Sequence, residues 1–84
     1  MSKALRFIRH ALVAMREREV DGAWVERALS APQWAEADPN DVTVTRYFVA
    51  LPERGGRFLR VAAVDSGEGW LILTAFLDRR ARPK

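Results

Sequence analysis

From Ile8 the apolar residues fall at helical spacing: Ile8, Leu12 and Met15 recur at i, i+4 and i+7. Ala4, Ala11 and Ala14 favour the same conformation. Residues 4–7 read as a short edge strand and residues 8–18 as a first helix. A second helix is punctuated more clearly. Asp21 is a good N-cap, and Val20 and Val25 have the spacing of a hydrophobic staple around it. Trp24, Val25, Ala28 and Leu29 form its apolar stripe, and Pro32 stops it. The short connection suggests a helical hairpin. Residues 35–41 read as an acidic loop containing Pro39 and Asn40. The period then changes to two. Val42 to Leu51 is β-branched and aromatic and ends at Pro52. After a turn over Glu53–Gly56, Phe58 to Asp65 reads as the next strand. Ser66 to Gly69 is a tight turn. Trp70 to Leu77 is apolar on both faces, interrupted only by Thr74, which places it inside the sheet.

The expected fold is therefore α+β: a short N-terminal strand, then a two-helix hairpin packed on an antiparallel three- to four-stranded sheet, in the order β-α-α-β-β-β. Both helices should cover one face, because a meander cannot bury its own apolar side. The other face is left partly open. Leu12, Met15, Trp24, Val25, Leu29, Val61, Ile72 and Leu73 are the expected core. Trp24, Trp34 and Trp70 read as core bulk, and Tyr47 should face the helices. The 84 residues make one domain, with its core over about 5–78 and a basic tail over 79–84.

Composition narrows the chemistry. The chain has no cysteine and one histidine, His10, so disulfides, thiolate zinc sites and cysteine nucleophiles are excluded and no metal or cofactor is expected. No apolar run approaches the ~18 residues of a membrane span, and no basic-then-apolar segment opens the chain, so a cytoplasmic address is expected. The net charge is +3, unevenly spread: residues 1–18 carry +4, residues 19–41 carry −5 and residues 42–84 carry +4. Both basic segments are dominated by arginine, whose planar fork grips phosphate at two points. Such a surface favours polyanions such as RNA. The acidic second helix argues against a duplex-reading helical hairpin.

The order of short motifs carries a resemblance. His10-Ala11 opens a helix that continues through Met15 to Arg18. Val20-Asp21 starts a second helix ending at Pro32. Arg46-Tyr47 lies on a strand, Gly56-Arg57-x-Leu59 starts another, and Leu73-Thr74-Ala75 lies on the last. Over roughly residues 5–80 this resembles the domain of unknown function family 4258. More distantly it resembles the BrnT- and RelE-type toxins, the ribonuclease halves of bacterial type II toxin–antitoxin pairs. The resemblance implies a toxin-like RNA-binding protein, a metal-independent endoribonuclease reaction and a cognate antitoxin-like partner, in a monomer or weak homodimer. His10, Arg18 and Arg46 are the candidate catalytic residues. Histidine is the side-chain type whose unperturbed pKa lies near neutrality, so His10 is suited to moving a proton, and arginines can stabilise a pentacoordinate phosphate. Arg46, Arg60, Arg79 and Arg80 are the candidate nucleic-acid contacts. The competing expectation is a non-enzymatic interaction module of the same fold, with His10 capping its helix and Arg18 paired with Glu26.

Overall fold

The computed structural model describes residues 4–83. Lys3 and Lys84, which contribute to the basic segments, lie outside the described residues. The chain runs β1 (Ala4–Phe7), α1 (Arg9–Glu17), α2 (Gly22–Ser30), β2 (Trp34–Ala37), β3 (Thr45–Leu51), a 3-10 turn (Pro52–Arg54), β4 (Arg57–Asp65) and β5 (Gly69–Leu77). The five strands form one sheet in the order β1-β5-β4-β3-β2. β1 is parallel to β5 and every other pairing is antiparallel. The architecture is α+β, with β5 flanked on both sides and β4 at the centre of the sheet. Among the described residues no helix is long and apolar enough to cross a membrane.

The two helices begin differently. Asp21 caps α2, its carboxylate accepting a hydrogen bond from the Ala23 N–H at 2.8 Å. Ile8 precedes α1 and offers no side-chain cap. α1 closes more firmly than it opens. The Val20 N–H donates to Met15 O at 2.8 Å and the Glu19 N–H to Arg16 O at 3.3 Å. Glu19 itself has φ +55. This is a Schellman closure, and buried Val20 and Met15 supply its hydrophobic contact. Four residues separate the helices, and each packs on the sheet: α1 against β5, α2 against β3 and β4.

The core lies between the helices and one sheet face. Val49 and Leu51 of β3, Leu59, Val61 and Ala63 of β4, and Ile72 and Ala75 of β5 meet Ala11, Met15, Val25, Ala28 and Leu29. Tyr47 packs on this side, edge-on to Trp70 with centroids 5.3 Å apart.

Three expectations need correction. The acidic segment is not all loop, because Trp34–Ala37 adds an edge strand to β3. Trp34 anchors it by stacking on Phe48, centroids 4.5 Å apart, with Phe58 edge-on at 5.1 Å. Beyond its end, the Gln33 side chain accepts a hydrogen bond from the Ala50 N–H at 2.6 Å, so this stretch of β3 is not left bare. Second, Leu12 is 53% exposed on the outer side of α1 rather than core, and Trp24 is only half-buried against the core. Third, Leu73 is half-buried and outside the core. The register explains this: Ala62 faces Thr74 but Ala63 faces Ile72, so Leu73 is the extra residue of a β-bulge. A bulge reverses the alternation, which turns Trp70 and Ile72 on one side of it and Ala75 and Leu77 on the other toward the helices. β5 reads as apolar on both faces because Leu71 and Phe76 lie on the outer side, opposite Val64 and Arg60.

Candidate nucleic-acid interface

The face of the sheet turned away from the helices carries the even-numbered residues of β3 and β4. In the β3–β4 register Arg46 lies opposite Ala62 and Phe48 opposite Arg60, so Arg46 and Arg60 share that face. They do not form a free stripe. The Arg46 Nε donates to Asp38 at 3.3 Å, and Arg60 pairs with Asp78 at 3.3 Å, all four side chains being at least three-quarters buried. Phe48 is only 2% exposed beneath Trp34, so this face is partly sheltered by its own aromatic residues.

The arginines gather at one end of this face. Four segments meet there: the end of α1, the 3-10 turn, the start of β4 and the chain after β5. They enclose a groove of about 660 Å³ lined by Arg18, Arg54, Arg57, Arg60, Arg79 and Arg80, with Phe76 and Leu77 as its apolar wall. Among the described residues Asp78 is its only carboxylate. Each arginine is held by local structure. The Schellman closure fixes Arg18 at the C-cap of α1. Pro52 starts the 3-10 turn that carries Arg54, and Gly55 and Gly56, at φ +69 and +82, return the chain into β4 at Arg57. Both glycine conformations disfavour a Cβ.

After β5 the chain remains docked. The Asp78 N–H donates to Phe58 O at 2.9 Å, continuing the β4–β5 ladder. The Asp78 carboxylate accepts the Arg80 N–H at 2.9 Å, turning Arg79 and Arg80 outward beside the groove. Ala81 is 7% exposed, so this segment is folded onto the protein rather than a frayed tail. The Arg60 guanidinium lies 4.4 Å from the Phe76 ring centroid and that of Arg18 lies 5.9 Å from it. Arg54 sits 6.0 Å from the Trp24 ring. Cations over ring faces are held without neutralising their charge.

Phe76 and Arg18 also border a second recess of about 290 Å³, completed by His10, Val13, Ala14, Glu17 and Thr74. The two hollows are contiguous through the residues they share. His10 is exposed, and its imidazole makes no hydrogen bond to a described residue, so it does not cap α1. No Arg18–Glu26 ion pair forms among the described residues. The cross-element pair is Arg27 with Glu53, bidentate at 3.0 and 2.6 Å. The hydrogen bond from Arg27 holds the Glu53 carboxyl down at about 2, with smaller help from Trp24.

Of the candidates named from sequence, His10, Arg18, Arg60, Arg79 and Arg80 thus line one continuous surface. Arg46 lies on the same face of the sheet but outside that lining. Arg54, Arg57, Glu17 and Phe76 escaped the sequence reading. The Gly-Gly-Arg turn was the signal for Arg57; nothing local marks the others. Asp38 and Asp41 sit beyond the start of β3, while the groove lies beyond its end, about 20 Å away along a seven-residue strand.

No curated protein and no solved structure matches the chain. A family model does, over residues 7–77, which takes in every element from the end of β1 to the end of β5 and most of the groove. The chain belongs to the family described as Domain of unknown function (DUF4258).

Proposed function

We propose that this protein is a toxin-like RNA-binding protein of a type II toxin–antitoxin system, whose arginine groove holds single-stranded RNA and whose His10 serves metal-independent cleavage. One observation carries the reading: among the described residues, six guanidinium groups face a single carboxylate in one groove. Like charges gathered this way repel one another, and an anionic ligand relieves that repulsion. The apolar wall at Phe76 suits a base beside the phosphates. His10, across Phe76 from Arg60, is the candidate for taking the proton of a 2′-hydroxyl.

The exposed imidazole, which has no hydrogen-bond partner among the described residues, favours a second reading, in which the groove binds RNA without cutting it. An imidazole that nothing orients is a poor general base until the substrate itself positions it.

The test is binding of a labelled single-stranded RNA at two salt concentrations, with cleavage followed on the same oligonucleotide. Wild type should bind with a log–log salt slope of about −0.7 per phosphate contact. Arg57→Ala and Arg60→Ala should each make the slope shallower by about that amount, whereas Arg46→Ala should change it less. His10→Ala should abolish cleavage with little effect on affinity. Wild type that binds but never cleaves supports the second reading, and wild type that fails to bind at low salt refutes both. A neighbouring reading frame of antitoxin-like composition supports the toxin assignment.

A further inference from the structure

We infer that the groove recognises a compact polyphosphate, the 5′-triphosphate of an RNA end or the same group on a free nucleotide, rather than a run of internal phosphodiesters. This rests on the anion-binding reading of the groove and narrows it.

The arginines form a cluster rather than a row. A track for a strand lays its cations in a row, as alternate residues of one β-strand would. Here they come from four separate chain segments and converge on one hollow of about 660 Å³. Convergence suits a ligand whose charges are concentrated. Successive phosphodiesters are separated by a sugar and carry one charge each. A triphosphate sets its phosphorus atoms side by side, and its terminal group approaches a double charge, about −1.5 to −2, near neutrality.

The cluster is also little neutralised from within. Among the described residues Arg60 is the only one of the six with an ion-pair partner, Asp78. The other five forks are available for bidentate contacts to phosphate oxygens. The neighbouring recess extends the site. It shares Phe76 and Arg18 with the groove, and Glu17 and Thr74 supply acceptors and a hydroxyl suited to a ribose or a base edge. A polyphosphate in the groove would therefore direct its first nucleoside past Phe76 toward His10.

The experiment compares one RNA sequence carrying a 5′-triphosphate, a 5′-monophosphate or a 5′-hydroxyl, with inorganic tripolyphosphate and ATP as free ligands. Binding is measured at ~0.15 M salt, where nonspecific backbone attraction is reduced. The triphosphate RNA should bind about ten-fold or more tightly than the hydroxyl form, and tripolyphosphate should displace it. Arg57→Ala and Arg80→Ala, both on exposed side chains, should erase most of that preference while leaving the melting temperature unchanged. Arg57→Lys should restore only part, since it returns the charge without the fork. Equal binding of the three RNAs overturns the inference and leaves the RNA-binding reading intact. Tight ATP and tripolyphosphate binding with no gain from attached RNA upholds the polyphosphate site, assigns it to a nucleotide and overturns the RNA reading. No binding of any probe overturns both.

Discussion

Glu19 closes α1 in a conformation that suits glycine. At φ +55 its Cβ is strained, by about 1 kcal/mol for a non-glycine residue. Glu19→Gly should therefore raise thermal stability by up to about that amount, measured by urea or heat denaturation. Gly69 shows the opposite constraint. A Cβ there would come within 2.8 Å of the Ala4 carbonyl oxygen, on the strand it pairs with. Gly69→Ala should destabilise the protein by about 1–3 kcal/mol, because backbone, not a flexible side chain, is in the way. The Arg27–Glu53 pair gives a pH signature. The folded Glu53 carboxyl, near 2, lies below its ordinary 4.5, so its stabilisation is present above about pH 4.5 and is lost as pH falls toward 2. Glu53→Gln should lower the melting temperature modestly at pH 7, the partners being partly exposed, and the difference from wild type should vanish near pH 2.

At the scale of elements, Leu12 and Leu29 look alike in sequence, each at helical spacing with apolar neighbours. The fold separates them: Leu29 is 6% exposed under α2, and Leu12 is 53% exposed. Leu29→Ala should cost about 2–5 kcal/mol, whereas Leu12→Ala should stay within ~0.5 kcal/mol of wild type, by denaturant titration. The helices, the three long strands and the short parallel strand were legible because each carries its own signal, whether cap, stop, turn glycine or alternation. β2 was not. Its four residues, Trp-Ala-Glu-Ala, have little β-propensity, and their strand state depends on Trp34 finding Phe48 and Phe58 on other strands. The bulge at Leu73 was hidden for a related reason: a uniformly apolar run contains no alternation whose reversal could be seen.

Across the whole molecule, Asp38 and Asp41 sit beyond one end of β3, and the arginine groove, with Arg60 opposite Phe48 and Arg57 opposite Leu51, lies toward the other. The segment after β5 contributes both to this groove and to stability, since it supplies Arg79 and Arg80 and buries Ala81. Ending the chain after Asp78 should weaken RNA binding and lower the melting temperature by several degrees, as ~1 kcal/mol corresponds to about 4–8 °C for a domain of this size. The double change Arg79→Ala and Arg80→Ala keeps the docked backbone. It should weaken binding equally with no loss of melting temperature. Equal melting of all three proteins would show that the segment is not packed as described.

What the sequence determined by itself is local. Periodicity, caps and turns specify the α+β order, the helix-facing side of most strands and an arginine-rich surface, because those properties depend on residues close together in the chain. The tertiary structure decided which arginines meet. Arg18, Arg54, Arg57, Arg60, Arg79 and Arg80 come from four separate segments, and only sheet register and the docked C-terminal segment bring them to one groove. It also decided that Arg46 and Arg60 are tied to Asp38 and Asp78 rather than left free. Electrostatic sites depend on distance through space, and a sequence records only separation along the chain.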